Sequence, residues 1–263
     1  MAPQNSKLNQ SVQKAIRLLR AVADDPAVSV SALSRTVGLP RATALRMIQT
    51  LEGEGFLLRV PGADRVLLGP ELLRLAREAD VGAVLRELAR RPLALLSETL
   101  RETVTLSVIG ADGDLDLIHQ VDGPHHLVPR SWIGQRFPLH ASSSGKVLLA
   151  TYDAQRLAQF LQLPLTRLTP ATLTTAAGLR RELEQVRSQG YAETCDELEE
   201  GLSGVSVGIS DEDGALLGVV NVSGLSQRLD EARRRQIARG IGAVARDIEA
   251  TLGHRSLHGA PGP

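Results

Sequence analysis

Four residues between positions 41 and 49 carry donors that could bind a polyanion. A helix over this stretch would expose Arg41, Thr43, Arg46 and Gln49 while Ala44, Ile48 and Leu51 face a core. Guanidinium, hydroxyl and amide groups in such a row can reach phosphate oxygens or base edges. A second cluster, Ser142-Ser143-Ser144-Gly145, stands where another helix would open. The first N–H groups of a helix lack intrahelical partners and the helix dipole is positive there, so that end can receive an anion. Taken by itself, the segment fits an ordinary N-cap with surface hydroxyls better.

The strings that could signal catalysis lack the context their chemistry needs. GVSVG at 204–208 spells a nucleophile elbow around Ser206, but that motif requires a strand–turn–helix, and Ser206 sits inside an alternating strand pattern. SSSGKV lacks the first glycine and the closing Ser/Thr of a phosphate-binding loop. His119, His125, His126 and His140 match no zinc-ligand spacing and read as satisfied or surface histidines. Cys195 has no histidine near it in sequence; it reads as a small buried residue or a thiol lining a pocket. The acidic run Glu193–Glu200 reads as a solvated segment. No enzyme, metal site or cofactor is expected.

The elements that would position these residues follow from periodicity. Val12, Ala15, Ile16, Leu19 and Val22 form the stripe of a first helix. Ser29 would cap a second helix burying Val30, Leu33 and Val37, and Gly38 would close it. Pro40 suits the first turn of a third helix running to about Glu54. Phe56–Val60 and Arg65–Leu68 flank Pro61-Gly62-Ala63-Asp64 as a hairpin, with Arg59 and Arg65 placed to grip a backbone. Helix, helix, tight turn, helix, hairpin is the layout of a winged helix-turn-helix, whose second turn-flanking helix enters the major groove. A long helical region at 71–100 should break near 80–82, and Leu72, Leu75, Ala76 and Ala79 would suit packing on a twin subunit. From about 103 the pattern becomes strands and helices without strict alternation, the mark of an α+β domain on an antiparallel sheet. Thr103–Ile109 and Leu115–Val121 form a hairpin, Leu127–Ile133 a third strand, and Asn221 and Ser223 share one face of a later strand, opposite Val220 and Val222.

Composition fits two domains with opposite duties. The 263 residues hold 30 Lys+Arg and 30 Asp+Glu, so the formal net charge is zero. Residues 1–75 carry ten Lys/Arg against six Asp/Glu, and the remainder carries the compensating acidic excess. Segregation of this kind points to a nucleic-acid contact at the basic end. Six aromatics argue against a single-strand binder built on base stacking, and one cysteine excludes an intrachain disulfide framework. No apolar run approaches a membrane span and MAPQNSKLNQ lacks a signal core, so the expected setting is cytoplasmic, with no membrane partner.

The chain resembles the IclR family of bacterial transcriptional regulators. The match is carried by residues 11–59, by VLLGPELLRLARE at 66–78, by GQRFPLHASSSGKVLLA at 134–150 and by GYAETCDELEEGLSGVSVGISDEDGALLGVVNVSGL at 190–225. The resemblance implies a winged helix-turn-helix over 8–70, a linker helix over 71–82, a GAF-like effector-binding domain over 83–253 and a disordered tail at 254–263. It also implies a homodimer or tetramer on a pseudo-palindromic double-stranded DNA operator. The operator contacts would come from Arg41, Ala42, Thr43, Leu45, Arg46, Gln49, Arg59 and Arg65. A carboxylate-bearing metabolite would meet Ser143 and Ser144, within a pocket formed by Leu127, Phe137, Cys195, Asp196, Gly204, Asn221 and Ser223. Two departures stand out. Ala42 and Leu45 replace the polar residues usual in the recognition helix. Thr194 and Gly204 replace an Asp and a Cys found in members that bind small keto or hydroxy acids, which implies a roomier site and a larger effector. The alternative is a sensor or enzyme domain whose helix-turn-helix serves only protein contacts.

Overall fold

The computed structural model describes residues 9–25, 28–124 and 138–253. They form two compact units that divide between Asp80 and Val81.

The first unit is a three-helix core with a wing. Helix α1 (Gln10–Asp24) is capped by Asn9, whose Oδ1 accepts from the Ser11 N–H. It buries Leu18 and Val22; Val12 and Ile16 of the expected stripe are 53 % and 44 % exposed. Helix α2 (Val30–Thr36) starts on the Ser29 hydroxyl, which accepts from the Ala32 N–H. Gly38, at φ +65°, then turns the chain so that Leu39 is buried. Helix α3 (Arg41–Gly53) begins one residue after Pro40, whose carbonyl accepts from the Thr43 and Ala44 N–H groups. Strands β1 (Leu57–Arg59) and β2 (Val66–Leu68) pair antiparallel as the wing. Leu18, Val22, Leu33, Ile48, Leu57 and Val66 close the core between helices and wing. Helix α4 (Pro70–Glu78) follows and buries none of its residues.

The second unit is one antiparallel sheet between helices. Helix α5 (Val81–Leu100) carries Pro92 within it. Strands β3 (Thr103–Ile109) and β4 (Leu115–Val121) make the expected hairpin. A 3-10 turn at Leu139–Ala141 leads into α6 (Ser143–Ala150), followed by α7 (Ala154–Phe160) and α8 (Ala176–Gln189). Strands β5 (Ala192–Cys195), β6 (Leu202–Ser210) and β7 (Leu216–Leu225) precede the closing helix α9 (Glu231–Gly253). The sheet order is β4-β3-β7-β6-β5. The expected strand at 127–133 lies outside the described residues.

The sheet has two chemically different faces, because side chains alternate along each strand. Val104, Leu106, Val205, Ile209, Val220 and Val222 point to one face and pack with Leu85, Leu93, Ile237, Ile241 and Ile248 of α5 and α9. The other face carries small polar residues and is covered by α6. Beyond it, Leu148, Leu149, Leu179, Leu183 and Val186 form a second apolar cluster that fixes α6 against α8.

Candidate functional site

The polar face of the sheet is built in rows. Register places Thr103 opposite Ser223, Ser223 opposite Gly204, and Gly204 opposite Thr194, so one row crosses four strands. The next row runs Gln120, Thr105, Asn221, Ser206. Ser107 and Leu117 start a third. Between these rows and the start of α6 lies a half-enclosed cavity with about 650 Å³ of empty space. Ser142, Ser143 and Ser144 line it from the helix, and Leu198 and Leu202 from the segment beyond β5.

Hydrogen bonds fix the helix end to the sheet. The Ser142 hydroxyl accepts from the Gly145 N–H at 3.1 Å and caps α6. Ser143 Oγ donates to Asn221 Oδ1 at 3.1 Å, and Ser206 Oγ lies 2.9 Å from Ser143 Oγ and 3.1 Å from Ser144 Oγ. Asn221 Nδ2 donates to Thr105 Oγ1 at 3.3 Å. A Cβ at Gly204 would lie 2.8 Å from Ser143 Oγ, so a side chain here would displace the Ser143 hydroxyl from its present place.

A buried ion cluster stands one turn further along α6. Lys146 is fully buried, and its ammonium donates to Glu197 Oε1 at 2.7 Å, Glu182 Oε1 at 2.9 Å and the Glu193 carbonyl at 3.2 Å. Burial pushes the Glu197 carboxyl up from its ordinary value; Lys146 opposes this, and the Glu182 and Glu193 charges add to it. Glu197 Oε2 is buried without a partner. The Glu197 carbonyl accepts from Thr172 Oγ1 at 2.7 Å and the Asp196 carbonyl from Thr169 Oγ1 at 2.6 Å. The wall that carries Thr194 and Leu198 is therefore clamped to α6 from behind.

The structure brings together Ser143, Ser144, Gly204, Asn221 and Ser223 at the cavity. It does not bring Cys195 there. Thr194 faces the cavity and strand alternation turns the next residue away, so Cys195 is exposed, neither buried nor lining. Asp196, at φ +59°, is spent on a turn: its carboxylate accepts from Ser226 Oγ at 2.6 Å and the Gly201 N–H at 2.8 Å. The Ser226 hydroxyl, with help from Gly201, holds that carboxyl below its ordinary value. Leu127 and Phe137 lie outside the described residues, as do His125 and His126. The acidic run is not simply solvated, since it contributes strand β5, the buried Glu197, and Glu193, which pairs with Arg234 at 3.1 Å. Sequence reading missed Thr103, Thr105, Ser107 and Gln120, although the alternation of hydroxyl with Val104, Leu106 and Val108 was the available signal. His140 is buried with Nε2 3.0 Å from the Thr166 carbonyl.

In the first unit, Arg41, Ala42, Arg46 and Gln49 are exposed on α3, and Thr43 is half-buried. Leu45 is half-buried at the edge of the core. On the wing, Arg59 makes a two-pronged pair with Glu52, both contacts at 3.2 Å, and Arg65 is exposed.

A winged helix-turn-helix joined in one chain to an α+β domain with a cavity under a helix end defines the class of ligand-responsive transcriptional regulators. The chain belongs to the IclR family: residues 11–61 match the IclR helix-turn-helix domain and residues 81–250 match the bacterial transcriptional regulator IclR C-terminal domain. It is 30 % identical to the HTH-type transcriptional regulator KdgR of Escherichia coli K12, over 93 % of both chains. The crystal structure of an IclR transcriptional regulator from Silicibacter sp. TM1040 superposes with a TM-score of 0.69 at 27 % identity, covering 97 % of this chain and 98 % of that one. An IclR homolog from Microbacterium hydrocarbonoxydans, crystallised with 4-hydroxybenzoate, has a TM-score of 0.56 at 26 % identity over 90 % of this chain and all of that one. The protein is thus a transcriptional regulator.

Proposed function

We propose that the protein binds a pseudo-palindromic operator as a homodimer or tetramer and changes that binding when a carboxylate-bearing metabolite enters the cavity under α6. The division of labour is a DNA-reading domain at 8–70, a connecting helix at 71–82 and an effector domain at 83–253. The observation that carries the reading is the exposure of Arg41, Arg46 and Gln49 along the helix that follows the Gly38 turn. These donors suit phosphates and guanine or adenine edges. Ala42 can add only an apolar contact to a thymine methyl.

The effector reading is supported by the start of α6, where the Ser143 and Ser144 backbone sits at the positive end of the helix and against the cavity. The likeness to the homolog crystallised with 4-hydroxybenzoate, itself a carboxylate, supports the same chemistry. Gly204 and Thr194 leave the middle of the sheet low, which favours an effector larger than a three-carbon acid.

The test is to enrich duplexes from a random pool with the full chain and then compare Arg46→Ala with Gln159→Ala, which changes an exposed position on α7. Arg46→Ala is expected to weaken binding tenfold or more, the scale of about 1–3 kcal/mol for a lost base contact. Gln159→Ala should leave it unchanged. Equal affinities, or a pool that shows no enrichment, would overturn the DNA reading.

A further inference from the structure

We propose that the groove between α9 and the free end of β6 docks an extended segment of another protein, added to the sheet as a strand and bearing acidic side chains at alternate positions. The groove shares no residue with the cavity under α6.

Strand β6 outruns its neighbour. Its register with β7 continues to Ser210, but β5 pairs with it only from Ser203 to Ser206. No other strand lies on that side, since β5 ends the sheet. Gly190, at φ +79°, turns the chain off the end of α8, and the Tyr191 carbonyl is taken by Gln189 Nε2 at 2.9 Å, so the ladder stops there. Burial records the step: Ser203 to Ser206 are buried, whereas Val207, Gly208 and Ser210 are only partly so. The direction of the backbone groups alternates along a strand. The Leu202 carbonyl accepts from the Asp196 N–H on the β5 side, and the Asp211 N–H donates to the Ala215 carbonyl on the β7 side. Gly208 and Ser210 therefore turn their N–H and C=O groups to the outer edge. Glu249 Oε1 already accepts from the Ser210 N–H at 2.8 Å. The Gly208 N–H and C=O and the Ser210 C=O face the side where a further strand would pair.

Helix α9 walls this edge. Arg234 pairs with Glu193 of β5 at 3.1 Å near one end, and Glu249 holds Ser210 at the other, so the helix runs alongside β6. Between these ties Arg235, Arg239 and Arg246 line a groove with about 1110 Å³ of empty space. Arg235 spends its charge on Glu231 at 3.0 Å. Arg239 and Arg246 are exposed, and neither has an ion-pair partner among the described residues. Two unanswered guanidiniums beside a strand edge select an acidic occupant. Helix rise sets them about 10.5 Å apart. Side chains on one face of a strand repeat every 6.7 Å or about that, so two alternate acids fall within reach of both. A strand edge also asks for backbone donors and acceptors in a row, which a peptide offers and a DNA duplex does not.

The test follows the fluorescence anisotropy of a labelled peptide, TEVEVET, with the full-length protein. TKVKVKT is the charge control. Two N-methylated forms of TEVEVET close off alternate amides, one set for each strand edge. TEVEVET is expected to bind about tenfold tighter than TKVKVKT and than one methylated form, and no tighter than the other. Amide exchange at Gly208 should slow when it binds. Arg239→Ala/Arg246→Ala should weaken the peptide about tenfold, as the loss of two exposed pairs implies, with the melting temperature of the free protein nearly unchanged. No binding of TEVEVET, equal binding of the two methylated forms, or unslowed exchange at Gly208 would overturn strand addition. Displacement of the peptide by pyrophosphate or by a random duplex would make the groove a plain anion or nucleic-acid surface and overturn the proposal. A fall in sedimenting mass on Arg239→Ala/Arg246→Ala would give the groove to a second copy of the chain and overturn it as well.

Discussion

Lys146 shows how a single side chain can hold a binding wall in place from behind. Its ammonium is fully enclosed and bridges α6 to α8 through Glu182, to β5 through the Glu193 carbonyl and to the segment after β5 through Glu197. Removing one partner of a buried pair strands the other charge, which costs about 3–5 kcal/mol, whereas replacing both with apolar groups is often neutral. Lys146→Met should therefore lower the unfolding free energy in urea by about that amount, and Lys146→Met/Glu197→Leu should recover most of it. A double variant as unstable as the single one would show that the pair matters for more than charge. The Glu197 carboxyl also carries a pH signature. Its folded-state pKa is raised above the ordinary 4.5, chiefly by burial, so between 4.5 and the raised value the folded chain holds more protons than the unfolded one. Stability contributed by this group is thus highest at low pH and falls as pH rises through that window. Glu197→Gln should remove that fall from a plot of melting temperature against pH; an unchanged plot would place the titration elsewhere. None of this was legible in sequence. Five acids within 193–200 look solvated, and the lysine that answers them lies on another element some fifty positions earlier. Asn221 and Ser223, by contrast, could be read from strand alternation alone.

At the scale of elements, alternation decides most of what can be read and packing decides the rest. The two-faced sheet follows from strands in which Val, Leu or Ile alternates with Ser, Thr, Asn or Gly, and the strand–helix order was legible from it. The three-helix core was legible too, but which apolar side of a helix is buried was not. Periodicity in α1 assigns Val12 and Ile16 to the same stripe as Val22, and the fold buries Leu18 instead. Those two residues, with Leu73 at 65 % and Leu75 at 40 % exposed on α4, are large apolar side chains that the first unit leaves open to water. A helix of strongly one-sided character with no buried residue draws little stability from its own unit. On the pseudo-palindromic operator proposed above, a second copy of the chain would be the partner for this face. Leu75→Glu is expected to shift the protein toward monomer in sedimentation at micromolar concentration, with its far-ultraviolet dichroism nearly unchanged. An unaltered sedimentation profile would move the subunit contact off α4.

For the whole molecule, zero net charge conceals a division that matters for binding. Ten Lys/Arg against six Asp/Glu in the first 75 residues oppose an acidic remainder, and 27 of the 30 cations are arginine, the side chain suited to phosphate and base edges. A neutral chain gains little from long-range attraction to DNA, so its affinity must come from close contacts made by the basic unit. Close phosphate contacts release condensed counterions, and each one lowers the slope of log affinity against log salt by about 0.9. A dimer presenting Arg41, Arg46 and the wing arginines twice over would make on the order of six to ten such contacts. The enriched duplex should therefore show a slope between about −5 and −9, a loss of roughly a thousandfold or more between 50 and 200 mM salt. Arg46→Ala in both subunits should flatten it by about one to two if the guanidinium meets phosphate, and leave it unchanged while lowering affinity if it meets a base. A slope near zero in the unsubstituted protein would mean that the helix-turn-helix does not grip DNA at all, and would favour a role for it in protein contacts.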